Sequence, residues 1–175
     1  YSWTWNGGSA SGVSPTVTLP LGTTTITLTV DDGKGVTSSD TVAITVQDTT
    51  PPSTSVKLEG AMGNSDWYTS AVTATLISTD SCSGVKEIAY NLDGNPIVIP
   101  GSRASLTIST DGVHGISYSA TDNSGNSERT KTVEIKEDKT APVITASANP
   151  SVNANGWNNT DVTVAFTCSD ATSGI

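Results

Sequence analysis

The residues with the most chemical potential are acidic and sit in turns. Asp48, Asp80, Asp122, Asn126 and Asp138 offer hard oxygen donors, two of the turns being Asp80 to Gly84 and Asp122 to Asn126, with Asp31 to Gly35 of the same type. Carboxylates and amide carbonyls are the donors calcium prefers, so calcium is the one cofactor these residues nominate. The same side chains also cap tight turns by accepting nearby backbone N–H groups. Their spacing has neither the order of an EF-hand loop nor its terminal Glu, which favours turn capping over the ion.

Catalytic chemistry is poorly served. The single histidine, His114, has no Ser or Cys companion in a nucleophile motif and is expected to be structural. Asp31 and Asp32 suit a turn as well as a paired acid and base. No catalytic or cofactor-binding residue is assigned, and no enzymatic activity is expected. Cys82 and Cys168 are too few for a disulfide framework and lack the paired spacing of a zinc site. Free thiols, or pairing with a cysteine beyond residue 175, are expected. Trp67 and Trp157 could make a sugar-stacking platform, but packing at an edge is the expectation for Trp at a repeated framework position. Trp3 and Trp5, two apart on a strand, should point the same way, into a core. Asn158 to Thr160 is an N-glycosylation sequon.

The elements that position these residues follow from a repeat. Asp48 to Pro52 returns as Asp138 to Pro142, an offset of 90 residues (138 − 48). Trp67, Val72, Asp80 and Gly84 return as Trp157, Val162, Asp170 and Gly174, and Gly22, Ile26, Leu28, Asp32 and Gly35 stand at the same offset before Gly112, Ile116, Tyr118, Asp122 and Gly125. No gap is needed. A fixed period marks a modular array. Residues 1–47 read as the later part of one module, 48–137 as a complete one and 138–175 as the start of a third.

Within 48–137, alternating apolar residues predict strands near 54–58, 71–78, 85–92, 96–99, 104–109, 114–121 and 128–136, with no helical periodicity. Short antiparallel strands joined by Asp-Gly and Ser-Gly turns imply two sheets around one apolar interior. The expected fold class is all-β, in tandem immunoglobulin-like antiparallel β-sandwich modules. Each outer part leaves strands without partners and a core face uncovered.

Tyr1 to Trp5, Gly22 to Val46 and the linker Asp48 to Pro52 resemble the later half of a PKD-type or related immunoglobulin-like repeat of microbial surface proteins. The central part is similar to bacterial immunoglobulin-like repeats through Ser83 to Val85, Tyr90 to Gly94, Asp111-Gly112, Tyr118 to Asn126 and Asp138 to Pro142. The resemblance spans nearly the whole chain and specifies a fold better than an activity. It departs where such repeats often carry Tyr after Asp-Gly: His114 and Thr24 stand there, which argues against a tyrosine-corner hydrogen bond. The resemblance implies a spacer, stalk or adhesive module of a large extracellular protein, or an accessory module beside a secreted hydrolase.

Charge narrows the partners. A net charge of −9 with eight scattered Lys and Arg argues against nucleic acid or an anionic membrane. No apolar run is long enough to insert in a bilayer, and any export signal lies outside this segment. Abundant Thr, Ser, Gly and Asn beside few Lys, Met and Phe suits an extracellular or cell-surface location. The Pro-containing linkers hold neighbours in a semi-rigid line.

The expected function is a structural spacer, stalk or fibre-forming segment whose partners are neighbouring copies or modules of the same protein. The alternative is an adhesive or carbohydrate-binding module with surface glycans as partners. Ser173 to Ile175 matches Ser83 to Val85, where the third strand begins, and Tyr1 to Trp5 reads as that same strand. The first strands of one copy are thus candidates to complete the next by strand complementation. A window cut from a longer repeat array gives the same boundaries and is the favoured reading.

Overall fold

A computed structural model describes residues 1–175 as fourteen strands and no helix. The first four are β1 (Ser2–Trp5), β2 (Gly8–Ser11), β3 (Gly22–Asp31) and β4 (Thr37–Val46), forming one antiparallel sheet in the order β2-β1-β3-β4. Eight more follow: β5 (Ser53–Glu59), β6 (Trp67–Tyr68), β7 (Val72–Thr79), β8 (Val85–Leu92), β9 (Asn95–Pro100), β10 (Arg103–Ile108), β11 (Gly112–Asp122) and β12 (Lys131–Glu137). They form a three-stranded sheet, β10-β7-β5, and a five-stranded sheet, β6-β12-β11-β8-β9. The last two, β13 (Val143–Asn149) and β14 (Thr163–Ser169), pair only with each other.

Alternation builds the core. Successive side chains on a strand point to opposite faces, so Val72, Ala74 and Leu76 of β7 all face one way, and all are fully buried. Ala104 and Ile108 join them from the same sheet. Ile88, Tyr90, Ile116, Tyr118, Ala120 and Ile135 of the five-stranded sheet complete a single apolar cluster. Each fully buried aliphatic side chain in it contributes about 1.5–3 kcal/mol.

One polar clamp crosses between the sheets. Both carboxylate oxygens of Glu128 accept from Thr54 at the start of β5, one from its N–H (3.1 Å) and the other from its hydroxyl. Glu128 also accepts from the N–H of Ala120 on β11 (3.0 Å), while Lys131 pairs with it at 2.9 Å and donates to the Thr54 carbonyl at 2.6 Å. Ser127 still bridges to Thr121, but residues 128–130, with Glu128 turned to this clamp, stand outside the ladder, so β12 starts at Lys131 and not at 128 as its sequence predicts. The other six expected strands stand close to their expected positions. β6 was not anticipated, since two residues show no periodicity; it runs parallel to β12, Lys136 opposite Trp67.

Several pairing registers correspond between different parts of the chain. Ser53 faces Thr79 and Val56 faces Leu76 in β5–β7, and 90 residues on (143 − 53) Val143 faces Ser169 and Ala146 faces Phe166 in β13–β14. Trp3 of β1 faces Leu28 as Tyr90 of β8 faces Tyr118, which gives Tyr1 to Trp5 the pairing of the third expected strand. The gap-free alignment breaks in β4: Ile44 faces Thr24 as Ile135 faces His114, an offset of 91 (135 − 44). Asp48 and Asp138 return to the offset of 90 because Val46 and Gln47 span what Glu137 alone spans.

Outside residues 48–137 the apolar faces lack a second sheet. Trp3 and Trp5 line the same hollow of about 240 Å³ and stay half-exposed, and every residue of β13 and β14 is exposed.

Glu128→Ala should therefore lower stability by about 2–3 kcal/mol at neutral pH, the scale of hydrogen bonds made by a charged, buried acceptor. Burial pushes the Glu128 carboxyl up, but the bonds from Lys131 and Thr54 outweigh it and hold it below the ordinary glutamate value. Its contribution is thus present above that ordinary value and lost as pH falls through the lowered one. Denaturant melts of wild type and variant should converge in acid; a gap unchanged with pH would refute the clamp.

Candidate functional site

Three of the five acidic and amide candidates converge. Asp48 lies two residues beyond β4, Asp80 follows β7 and Asp122 ends β11, and a carboxylate oxygen from each lies within 4.8 Å of the others. Asp48 and Asp122 are buried and Asp80 is half-buried.

Backbone amides hold each carboxylate. Asp48 accepts from Thr50 N–H (2.9 Å) and, across the fold, from Ser83 N–H (3.0 Å). Asp80 Oδ1 accepts from Cys82 (3.0 Å) and Gly84 (2.7 Å), and Asp122 Oδ1 from Ser124 (2.9 Å) and Asn126 (2.8 Å). Gly84 and Gly125 close these turns at φ of 77° and 91°, where a side chain would be strained. All three acids make the expected turn caps, and capping alone does not require the three turns to meet.

The other two candidates behave differently. Asn126 presents its amide nitrogen, donating to Asp122 Oδ2 (2.7 Å) and to the Asp48 carbonyl (3.0 Å), so it ties two of the acids together without offering them an oxygen. Asp138 is not in the trio. It repeats the part of Asp48 at the next junction, accepting from Thr140 N–H (2.9 Å) and Ser173 N–H (3.1 Å), with Asp170 taking the N–H of Gly174 (3.1 Å) as Asp80 takes that of Gly84. Asp32 repeats the part of Asp122, accepting from Lys34 (2.8 Å) and Val36 (3.2 Å).

No Lys or Arg pairs with the trio, although ion pairs form elsewhere. Ser83 and the Thr50 N–H hold Asp48 below the ordinary carboxylate range. Burial and then the negative field of Asp48, Asp80 and Asp122 push the Cys82 thiol up, which keeps it protonated and a poor nucleophile. Cys82 and Cys168 are both free and exposed.

His114 is engaged at both ring nitrogens. Nδ1 lies 2.7 Å from Asp93 Oδ2 and Nε2 lies 2.8 Å from the Thr110 carbonyl, two acceptors that together call for the imidazolium. Asp93 takes a φ of 50° in the two-residue turn with Gly94, and its other oxygen accepts from Gly115 N–H (2.8 Å). The hollow they border, about 440 Å³, also carries Asn91 and Ser117. With both nitrogens taken, His114 has none to spare for a nucleophile or a metal.

Of the tryptophans, one needs correction. Trp67 is half-buried on the edge strand β6, whose Tyr68 packs against the central cluster. Trp67 borders the second junction beside Asp138, Asp170 and Ser173, and Trp157 is 71% exposed.

One network had no sequence signal. Lys139, in the second linker, reaches back to Glu137, to Asp111 (3.3 Å) and to the Ser109 carbonyl (2.7 Å). Asp111 in turn accepts from Lys139 N–H (3.0 Å) and the Thr140 hydroxyl (2.5 Å). Thr49 holds the matching place in the first linker, so the repeat does not announce it. No protein-family model matches this sequence, and no curated protein does either.

The Asp93–His114 pair makes a pH prediction. Its hydrogen bond to Asp93 raises the His114 pKa against the opposing effect of burial, and Asp93 is lowered first by His114 and then by Gly115. The histidine contribution is full below its ordinary value and lost as pH rises through the raised one, while that of Asp93 is lost as pH falls through its lowered value. His114→Ala should cost at most about 1 kcal/mol, since Asp93 is exposed and solvent screens the pair. Chemical denaturation across pH should show that cost only between the two titrations; a cost persisting in strong alkali would refute the ion pair.

Proposed function

We propose that this chain is a run of immunoglobulin-like sandwich modules acting as a spacer or fibre-forming segment of an extracellular surface protein. The observation that carries the reading is the way the junctions are fastened. At the first, Asp48 accepts from Ser83 and its carbonyl takes Asn126. At the second, Asp138 N–H donates to the Tyr68 carbonyl (2.8 Å), and Lys139 and Thr140 are bound to Asp111. A flexible tether would leave those groups to water. Here the linker backbone at both junctions is hydrogen-bonded to the central part and followed by proline, so the central part constrains the direction of the chain on either side.

Lys139 is the key fastener at the second junction. Glu137 is fully buried, with Lys139 on one oxygen and no partner on the other, so losing the ammonium leaves a buried carboxylate uncompensated. Lys139→Met should lower the melting temperature of the 48–137 module and speed hydrogen exchange at the Lys139 and Thr140 amides. If those amides already exchange at unprotected rates in the wild type, the junction is a tether and the spacer reading falls.

The convergence of Asp48, Asp80 and Asp122 favours a second reading, with calcium as a fastener of the first junction. The donor set fits a hard divalent cation: all oxygen, three carboxylates, and an Asp80 Oδ2 claimed by no amide. An ion there would offset like charges that no basic residue balances. Calcium added after chelation should raise the melting temperature with concentration, and Asp122→Asn should remove most of that rise. Equal responses from the two proteins would leave the acids as turn caps alone.

A further inference from the structure

We propose that the turn between β10 and β11 is a proton-operated switch, which fastens Lys139 and Thr140 of the second linker while His114 carries its charge and loosens them when the charge is lost. The inference rests on the fastened-junction reading above and names how that fastening is regulated.

Only Ser109, Thr110 and Asp111 separate β10 from β11, and all three are engaged. The Ser109 carbonyl accepts from Lys139 Nζ (2.7 Å), and Asp111 accepts from the Lys139 N–H (3.0 Å) and the Thr140 hydroxyl (2.5 Å). Between them Thr110 is bound to His114, its carbonyl 2.8 Å and its hydroxyl 3.3 Å from Nε2. A turn this short has no free residue to absorb a displacement. Whatever moves Thr110 therefore moves the two residues that hold the linker.

Thr110 offers the ring two different groups, and the proton decides which of them fits. The imidazolium donates from both nitrogens, Nδ1 to Asp93 (2.7 Å) and Nε2 to the Thr110 carbonyl. Neutral imidazole has one N–H. It stays on Nδ1, because the Asp93 carboxylate only accepts, and the bonds from His114 and the Gly115 N–H hold Asp93 ionised. Nε2 then carries a lone pair, set against the lone pairs of a carbonyl oxygen 2.8 Å away. The Thr110 hydroxyl is the remaining donor, and it bonds well only if it moves in from 3.3 Å while the carbonyl moves out. That exchange turns the Thr110 backbone, carrying the Ser109 carbonyl and the Asp111 carboxylate away from Lys139 and Thr140.

Charged groups face His114 from each neighbouring element. Asp93 comes from the turn after β8 and Glu137 from the end of β12, Glu134 of β12 borders the same hollow, and Asp111 and Lys139 lie beyond Thr110. The bond to Asp93 raises the His114 pKa; burial opposes this, and the Thr110 carbonyl and the fields of Asp93 and Glu137 add to it. Thr140 and then Lys139 hold Asp111 low, while Glu137 and then Asp111 hold Lys139 high against burial. Of Asp93, Asp111, Lys139 and His114, only the histidine therefore changes charge around neutral pH. A group with a raised value contributes in full below its ordinary value and ceases to as pH rises through the raised one. The linker is thus fastened in mild acid and loosens as the histidine titrates.

Amide hydrogen exchange followed by NMR on the full chain, corrected for the intrinsic pH dependence of exchange, tests this against the titration of the His114 ring signals. Protection of the Lys139 amide should fall about ten-fold, the net worth of one hydrogen bond, with its midpoint on that titration. The Ile116 amide in the centre of β11 should stay protected throughout and so report an intact fold. Asp93→Asn removes the charge that raises the histidine, so both midpoints should move down together. His114→Gln, which carries no charge at any pH, should abolish the step. Protection of Lys139 that is constant across the His114 titration, or a step that stays put in Asp93→Asn, would overturn the switch and leave the fastened junction standing. A Lys139 amide unprotected at every pH would sink both. Should either variant fail to protect Ile116, the coincidence or separation of the two wild-type midpoints decides alone.

Discussion

A sheet with one apolar face must cover it, and the conformation of this chain follows from how that requirement is met. In the central part, β7 presents Val72, Ala74 and Leu76 to the faces of β8, β11 and β12, and all three side chains are fully buried. Covering the faces is what makes the alternating pattern productive: the same pattern on β14 buries nothing, because no sheet lies opposite. Propensity is similar in the two strands. The difference is tertiary, as expected where the stability of a strand comes from its neighbours more than from its own residues.

Polar groups then decide how covered units are joined. Strand ends leave backbone N–H groups without ladder partners, and the acids after β4, β7 and β11 take them up. Bringing three such acids together is unfavourable in itself, since like charges at short range oppose one another. The arrangement persists because each carboxylate accepts at least two amide hydrogens and Asn126 bridges two of them. The second junction is balanced otherwise, with the Lys139 ammonium set among Glu137, Asp111 and the Ser109 carbonyl. The first junction has no ammonium among its acids and the second has one, so salt and divalent ions act more strongly on the first.

Much of this was legible in the sequence, and the reasons differ by residue. The seven central strands could be read because half-buried antiparallel strands alternate visibly, as in Ile116, Tyr118 and Ala120. The convergence of Asp48, Asp80 and Asp122 was partly legible: their turns were marked, but their meeting depends on which strand ends share an edge. Glu128 was read as part of a strand because nothing local distinguishes an inward carboxylate from an outward one; its partner Thr54 is 74 residues away. Lys139 was invisible for a similar reason. The one-residue shift in β4 was hidden because Asp48 and Asp138 restore the register immediately afterwards; it sets Val42 and Ile44 opposite Ile26 and Thr24 as Val133 and Ile135 stand opposite Ile116 and His114.

Residues at a spacing of 90 correspond unevenly. Residues that cap turns recur at 90 residues with their hydrogen bonds intact, as Asp170 does for Asp80 and Asp32 for Asp122. Residues that clamp one sheet to another do not: Thr54, held by Glu128 in the central part, is replaced by Ile144. Turn caps are local and needed whatever lies opposite, so any unit built on these strands must keep them. A sheet-to-sheet clamp depends on the sheet opposite, so its residues are free to change where that sheet differs. Ile144 puts an apolar side chain where the clamp would be, at 67% exposure. That trade gives up a directional polar contact for apolar area, which binds less selectively but tolerates small differences in how a covering sheet is seated.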